Sequence, residues 1–220
     1  MKSADLDEIY RTIPLRDIPW NNEQPPEVLV DLVESRTITP GRTVDFGCGA
    51  GNNSVYLARQ GFTVTGIDLS PTAIALAREN ARRQGVECRF VAADVTGDLP
   101  EFQGTFDFAF EWELLHHLFP EQRARYVPNV WASLRPGGRY LSLCFSEQDR
   151  QFGGKGKIRK TTIGTVLYFS SEAELRDLFS PRFKILDLRT ISVRAKRGSH
   201  LAVCALMEKA PLPPPASGGR

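Results

Sequence analysis

Three glycines stand at alternate positions directly behind a short apolar run that ends in an acid. The stretch reads VDFGCGAG, in which Asp45 is followed by Gly47, Gly49 and Gly51. Glycine permits tight turns and lets the backbone come very close to another group. In an open α/β sheet, ligands bind beyond the carboxyl ends of the strands. The pattern therefore indicates a nucleotide-like ligand lying over this turn.

The spacing of the glycines bears on which nucleotide binds. The dinucleotide fingerprint is GxGxxG, whereas this chain has GxGxG and carries Asn52 where the third glycine of that fingerprint would fall. A carboxylate at Asp45 is poorly placed for a diphosphate and suits a ligand that bears positive charge. A nicotinamide-dependent oxidoreductase shares the glycine turn, so it stays as an alternative that the spacing disfavours.

Two further strands of the pattern end in aspartate. Asp68 ends VTGIDLS, about 20 residues beyond the first glycine, where an acid takes a pair of ribose hydroxyls. Asp94 ends FVAAD, where a carboxylate can accept a hydrogen bond from an adenine amine. Each aspartate taken singly fits a helix N-cap or a turn equally well. Three such strand ends in register predict a row of acceptors along one rim of a sheet.

The elements that must position these residues alternate from residue 43 onward. Short β-branched runs are separated by helical segments, the clearest being SPTAIALARENARRQG, with Ser70 as N-cap and Gly85 as stop. Strands separated by helices predict an α/β fold with a parallel sheet covered on both faces. The last two strands have a short connection and should pair antiparallel, giving a mixed sheet. We also expect Pro128 to kink or split its helix, and RPGG to form a turn.

Composition bounds the organisation of the chain. It has 220 residues and a formal net charge of +2, which suits one α/β domain and calls for no nucleic-acid or membrane partner. The start lacks the apolar region of a signal peptide, which predicts a cytoplasmic protein. The four cysteines form no CxxC pair, so we expect no metal site. The predicted divisions are an N-terminal segment and helix covering the site (1–40), the main domain (41–209) and a disordered tail (210–220).

The segment 146–171 is too long for an ordinary connection between a strand and a helix. It is rich in glycine and in basic residues, and long loops inside compact domains are usually lids or binding loops. We predict a lid-like insertion over an acceptor pocket, with a solvated loop as the alternative.

Five motifs taken in order resemble a known family. VDFGCGAG, GIDLS, AAD, FDFAFEWELLHHL and LRPGGRYL, spread over residues 43–145, are similar to the successive motifs of the class I S-adenosylmethionine-dependent methyltransferases. More weakly, IPWNNEQPP and YFSSEAELRDLF resemble small-molecule members near the thiopurine and tellurite-resistance type. The resemblance implies a Rossmann-like seven-stranded mixed sheet of order 3-2-1-4-5-7-6, in which strand 7 is antiparallel.

The resemblance also implies the cofactor, S-adenosyl-L-methionine, and the residues that hold it. Asp68 would take both ribose hydroxyls, Asp94 would accept from the adenine amine, and Glu111 would offer its carbonyl to the methionine ammonium. Trp20 either closes over the cofactor or is a packing aromatic. The complete set of expected cofactor residues is Trp20, Asp45, Gly47, Cys48, Gly49, Asp68, Leu69, Asp94, Val95 and Glu111.

The acceptor is a small molecule by the same resemblance. An in-line displacement that leaves S-adenosyl-L-homocysteine needs chiefly alignment, and a general base is needed only if the acceptor keeps its proton. A thiol is partly ionised near neutral pH, so a thiol or other soft acceptor is the first hypothesis. Tyr10, His116 and His117 are the candidate catalytic residues, and Trp112 is expected to form a wall of the site. Transfer to oxygen, nitrogen or RNA, and a non-catalytic regulator, remain alternatives.

Overall fold

The computed structural model describes residues 5–153, 155–196 and 198–211. The tail predicted to be disordered lies outside the described residues from position 212 onward. Helices occupy α1 (Leu6–Thr12), α2 (Glu27–Glu34), α3 (Asn52–Arg59), α4 (Pro71–Gln84), α5 (Pro120–Ser133) and α6 (Glu172–Phe179). Strands occupy β1 (Arg42–Phe46), β2 (Thr63–Asp68), β3 (Arg89–Ala92), β4 (Phe106–Trp112), β5 (Leu134–Phe145), β6 (Ile158–Lys160), β7 (Val166–Tyr168), β8 (Phe183–Arg194) and β9 (Ser199–Lys209).

Seven of these strands form one sheet, in the order β3-β2-β1-β4-β5-β9-β8. The strands from β3 to β5 are parallel, and β9 is antiparallel to both β5 and β8. This is the order predicted from the family resemblance, with the last two labels moved by two because the small hairpin β6-β7 intervenes. The predicted Rossmann-like mixed sheet is confirmed.

Apolar side chains fill both faces of the sheet, as a buried parallel sheet requires. On one face Tyr126 of α5 and Leu175 of α6 join the core that contains Val44 and Phe46 of β1. On the other face Leu29 of α2 and Leu57 of α3 pack with Phe108 and Phe110 of β4. No helix within the described ranges is long and apolar enough to cross a membrane.

Two local expectations are wrong in the same region. The helix α5 runs unbroken through Pro128, although proline removes one backbone donor. The flanking side chains of Tyr126, Val127 and Val130 are fully buried in the core, and this packing holds the helix together. The RPGG stretch does not form a separate turn but belongs to the long strand β5, which starts at Leu134.

The insertion 146–171 contains an antiparallel hairpin, β6-β7. The guanidinium of Arg159 fastens it by donating hydrogen bonds to the backbone carbonyls of Gly156, Asp149 and Glu147, and it stacks 4.2 Å above the ring of Phe169. One of the five basic residues in this segment therefore has a structural task. The lid role of the segment stays a prediction.

The N-terminal segment is held to the main domain at two places in its first half. The carboxylate of Asp7 in α1 accepts hydrogen bonds from the Ser70 hydroxyl (2.5 Å) and the Thr72 amide (3.1 Å), at the start of α4. Further along, the ammonium of Lys196 donates to the carbonyls of Leu15, Arg16 and Ile18. The segment is thereby stretched between α4 and the β8-β9 connection.

A relay of asparagines fastens the middle of the segment. The Asn80 amide donates to the Asn52 side-chain oxygen (2.9 Å), and the Asn52 amide donates to the Asn21 side chain and the Asn22 carbonyl (both 2.9 Å). Asn52 occupies the position where a dinucleotide fingerprint would have its third glycine. Its side chain here joins α3 to the N-terminal segment.

Replacing Asn52 with alanine should loosen that segment selectively. The change removes two donated hydrogen bonds, each worth roughly 1 kcal/mol net, so amide hydrogen exchange over residues 15–22 should accelerate about tenfold or more. Asn53→Ala is the matched control, because the Asn53 side chain has no hydrogen bond among the described residues. Equal protection in both variants would contradict the relay.

Candidate functional site

A cavity of about 1,170 Å³ opens at the carboxyl ends of β1, β2 and β4. Its volume exceeds the usual 300–1,000 Å³ of a small-molecule site, so it can hold two ligands side by side. The N-terminal segment closes one side and the β8-β9 connection closes another. The cavity is lined by residues of the N-terminal segment, of the strand ends and the turns that follow them, and of β8: Tyr10, Trp20, Asp45, Gly47, Cys48, Gly49, Asp68, Leu69, Asp94, Val95, Trp112, Glu113, Leu114, His117, Ile191 and Val193.

The glycine turn has the conformation that its sequence indicates. Gly47 and Gly49 have φ of +73° and +53°, in the left-handed region that disfavours other residues. A Cβ at Gly47 would lie 2.9 Å from the Leu114 Cβ, and a Cβ at Gly49 would lie 2.6 Å from the Tyr10 hydroxyl. Both positions are therefore closed to side chains, and the bare backbone faces the cavity.

Asp68 holds the turn in place. Its two carboxylate oxygens accept hydrogen bonds from the backbone amides of Gly49 and Ser70, both at 2.9 Å. Burial raises the pKa of this carboxyl, and the two amide donors oppose that rise. Each oxygen can accept further bonds, so Asp68 is able both to shape the turn and to bind hydroxyl groups in the cavity.

Asp45 lies at the end of β1 and is almost fully buried. Its carboxylate accepts a hydrogen bond from the Ser54 hydroxyl at 2.7 Å. Burial raises the pKa of Asp45 to about 7, and the nearby charges of Asp68 and Glu111 act in the same direction. A carboxylate in such surroundings is stabilised by a cation.

The residues predicted to contact the adenine are only partly held in place by the protein. Leu69 is 65% exposed and Val95 is buried, and both line the cavity. The Asp94 carboxylate accepts hydrogen bonds from the Thr96 amide (2.8 Å) and hydroxyl (2.7 Å), which is the turn role that the sequence left open for it. Its other oxygen carries no hydrogen bond from the described residues. Asp94 is thus a turn residue that also reaches the cavity.

Glu111 does not line the cavity. Its buried carboxylate accepts four hydrogen bonds, from the Ser142 hydroxyl and the amides of Leu114, Leu115 and Leu143. The side chain therefore ties β4 to β5 and to the turn after β4. The role predicted for its carbonyl remains a prediction.

Two of the three candidate catalytic side chains reach the cavity, together with Trp20. The Trp20 indole donates a hydrogen bond to the Tyr10 hydroxyl at 2.8 Å, and its ring meets the His117 ring edge-on at 5.9 Å. Burial raises the pKa of Tyr10 and lowers that of His117 to about 4. Both are therefore uncharged at neutral pH. Trp112, which was predicted to form a wall of the site, also lines the cavity.

His116 lies away from the cavity. Its ring stacks on Phe145 at 4.2 Å and is 2% exposed, and its pKa is lowered well below the ordinary value, chiefly by burial. The geometry favours a packing role over a catalytic one for this histidine.

Glu113 is the site residue that the sequence analysis missed. It follows β4 directly, lines the cavity, and has a φ of +70°. Burial and the charge of Glu111 raise its pKa to about 7. Nothing in the sequence EWEL marks a glutamate whose backbone is left-handed. The one signal in the sequence is an acid that directly follows a largely apolar strand.

Comparison with known proteins agrees with this fold. Residues 43–138 match the family described as "Methyltransferase domain". The chain is 32% identical over 130 residues to the 2-heptyl-1-hydroxyquinolin-4(1H)-one methyltransferase of Mycobacteroides abscessus, which covers 59% of this chain and 56% of that protein. It is 30% identical over 159 residues to the ubiquinone biosynthesis O-methyltransferase of Coxiella burnetii, which covers 69% and 65%.

A solved structure gives the same picture over nearly the whole chain. It is described as "Conversion of a Disulfide Bond into a Thioacetal Group during Echinomycin Biosynthesis", with a TM-score of 0.77, 25% identity and coverage of 92% of this chain and 91% of that one. The sheet order and the methyltransferase domain of this chain are similar to those of the class I S-adenosylmethionine-dependent methyltransferases. The chain spans between about half and two thirds of the length of the two curated relatives above.

The raised pKa of Asp45 predicts that Asp45→Asn is more stable than the wild type at pH 8. A carboxyl whose pKa rises from 3.8 to about 7 on folding stabilises the fold when protonated, and this contribution is lost as the pH rises from about 4 to about 7. The asparagine keeps an acceptor for Ser54 and carries no charge. Its advantage in free energy of unfolding should be absent at pH 4 and reach at most about 4 kcal/mol at pH 8.

Urea unfolding of the ligand-free protein at both pH values measures this advantage. Asp31→Asn is the control, because Asp31 is exposed and outside the cavity lining. Asp45→Asn being less stable than the wild type at pH 8 would show that the charge of Asp45 is not destabilising.

Proposed function

We propose that this protein transfers a methyl group from S-adenosylmethionine to a small-molecule nucleophile. One observation carries the proposal: Asp45, Asp68 and Glu113 line one cavity at the ends of neighbouring strands, and none of them forms an ion pair with a described residue. Asp45 is buried and the other two are half-buried, and carboxylates in such surroundings without a cation favour a ligand that brings one. An ammonium and a sulfonium group fit this requirement.

The same residues suit the separate parts of the cofactor. Asp68 has lone pairs free for the ribose hydroxyls, and Asp45 lies where it can attract the methionine ammonium, directly or through water. Leu69 and Val95 offer apolar contact to the adenine. The bare backbone at Gly47 lets the methionine part approach closely. These assignments are supported by the fit of charge and shape.

The protein has to align the acceptor with the methyl group and to exclude water from the cavity. When bound, S-adenosylmethionine supplies a methyl group already activated by a positively charged sulfur. The N-terminal segment, held by Asp7, Lys196 and the Asn52 relay, closes one side of the cavity and limits access of water. Holding an acceptor within about 3–3.5 Å of the methyl, in line, contributes several kcal/mol without a covalent intermediate.

The acceptor shares the cavity with the cofactor and must be small. The names of the relatives support a small molecule, since they refer to a hydroxyquinolone and to ubiquinone biosynthesis, whereas the solved structure concerns a disulfide and a thioacetal. Oxygen and sulfur acceptors are therefore both represented. We propose a type near the thiopurine and tellurite-resistance methyltransferases, acting in the cytoplasm, where the four free cysteines would stay reduced.

Ligand-induced stabilisation tests the cofactor against the oxidoreductase alternative. S-adenosylhomocysteine at a hundred times its Kd should add about 2.7 kcal/mol to the free energy of unfolding, whereas NAD should add nothing. Thermal melts with each nucleotide measure the difference. A shift with NAD alone would overturn the proposal.

Replacing Asp68 with alanine should weaken S-adenosylhomocysteine binding at least thirtyfold, measured by titration calorimetry. The change removes the ribose acceptor and also frees the Gly49 amide that shapes the turn. Asp31→Ala, an exposed aspartate on α2, is the matched control and should keep the wild-type Kd. Unchanged affinity in Asp68→Ala would place the ligand elsewhere.

Release of S-adenosylhomocysteine in the presence of thiols, amines, phenols and carboxylates separates an enzyme from a non-catalytic regulator. We expect turnover with at least one class. Tight cofactor binding without transfer to any class would favour the regulator.

A further inference from the structure

The backbone after β4 turns sharply at a single residue. Glu113 donates its amide to the Leu143 carbonyl (3.0 Å), as one more residue of the strand would, but its φ is +70°. Side chains alternate along a strand, so a straight continuation would put Glu113 on the same face as Glu111. The left-handed residue turns it into the cavity instead, while Glu111 remains outside. Such strain in a residue other than glycine is concentrated at functional sites.

The two glutamates differ in what surrounds their carboxylates. Glu111 accepts four hydrogen bonds from the protein, and its lone pairs are used in holding β4, β5 and the following turn together. The Glu113 carboxylate receives no hydrogen bond and no ion pair from any described residue. It is thus a free acceptor at the cavity wall, next to Leu114, which packs against Gly47 of the cofactor turn.

Several apolar side chains line the cavity that Glu113 faces. Trp112 and Leu114 flank it in sequence, and Val28, Ile191 and Val193 line the same cavity. An apolar ring compound fits such walls. Glu23 and Glu27 also line the cavity, but their side chains are exposed, whereas Glu113 is half-buried at the end of β4.

We propose that Glu113 is the general base of the reaction, and that the acceptor is an apolar compound with a weakly acidic hydroxyl. This inference rests on the proposed function, and it replaces the thiol of the first hypothesis. The hydroxyl proton passes to the Glu113 carboxylate, and the oxygen forms a bond to the methyl carbon. The bond between methyl and sulfur breaks, its electron pair stays on sulfur, and Glu113 later releases the proton to solvent.

The other titratable groups facing the cavity are less suited to this role. His117 has a pKa of about 4, so it is a weak base, and Tyr10 stays protonated. Asp45 accepts from Ser54, and Asp68 from two amides. The Glu113 pKa of about 7, raised by burial and by Glu111, matches the pH at which a base works best.

Three cationic side chains also line the cavity. These are Arg16 of the N-terminal segment and Arg194 and Lys196 after β8. The Lys196 ammonium is held by three carbonyls of the N-terminal segment. A cation brought close to Glu113 would lower its pKa.

A pair of acceptors that differ in one atom tests the proposal: 2-naphthol and 2-naphthalenethiol. Wild-type kcat/KM for naphthol should rise with pH up to about 7 and then level off, because the ionised carboxylate is the active form. Glu113→Gln should lower kcat for naphthol by about 10²–10⁴-fold, with a pH profile that rises only as naphthol itself ionises. Transfer to the thiol should change less than threefold.

Three variants separate the base from a structural role. Glu113→Gly removes the carboxylate while suiting the left-handed backbone, so it should be folded and inactive towards naphthol. Glu113→Asp should regain part of the rate and the wild-type pH profile. Glu101→Gln, at an exposed glutamate outside the cavity lining, should match the wild type. An unchanged naphthol rate and profile in Glu113→Gln, or methylation of the thiol alone by the wild type, would overturn the proposal.

Two measurements do not depend on turnover. Carbon-13 NMR of protein labelled at the glutamate carboxyls should show two resonances titrating near pH 7, from Glu111 and Glu113, and Glu113→Gln should lack one of them. An ordinary midpoint near 4.5 for the resonance that disappears would overturn the proposal. Calorimetry with S-adenosylhomocysteine should show that Glu113→Gln still binds, with a Kd raised less than in Asp68→Ala. If the wild type itself fails to bind, the proposed function has failed, and this outcome differs from failure at Glu113.

Discussion

Uncompensated negative charge at the carboxyl edge of the sheet is the constraint on which the site depends. Asp45 and Asp68 end neighbouring strands and share one cavity with Glu113. Burial makes each ionised form costly, and mutual repulsion adds to that cost. The ligand-free protein meets this constraint partly by protonation, since the pKa of Asp45 and that of Glu113 are both raised to about 7. A cationic ligand relieves the same strain, which links the electrostatics of the fold to its choice of cofactor.

The N-terminal segment, which covers this acidic edge, is held mainly by hydrogen bonds between neutral groups. The Asn52 relay uses amides, which donate and accept without bringing a charge close to Asp45 and Asp68. A lysine or arginine at position 52 would neutralise the acids and compete with a cationic ligand for them. The charged side chains that hold the segment are Asp7, which binds the start of α4, and Lys196, which binds carbonyls within residues 15–18. The charge pattern thus keeps the centre of the cavity negative while the cover stays attached.

The sequence carried enough information for the sheet and its acidic rim. The strand order followed from the motifs, and Asp45 and Asp68 were recognisable because strand ends in a parallel sheet meet at one edge. Glu113 was not recognisable, because nothing in the sequence EWEL distinguishes a residue that continues β4 from one whose backbone takes a left-handed conformation. The continuity of α5 through Pro128 was equally hidden, since it depends on core packing. Likewise, the anchoring of the 146–171 insertion by Arg159 depends on carbonyls distributed over ten residues of chain.

The number of hydrogen bonds that each carboxylate accepts, more than its position, indicates its role at this edge of the sheet. Glu111 has four donors and acts in the structure alone. Asp68 has two backbone donors, which favour its ionised form and fix its direction, and Asp45 has one hydroxyl donor. Glu113 has none from the described residues. The donors on Asp45 and Asp68, which line the cavity, stabilise their negative charge in place and suit them to attract and orient a ligand. Glu113 lines the same cavity and has no donor, and so it is the member of the set best able to take a proton from an acceptor.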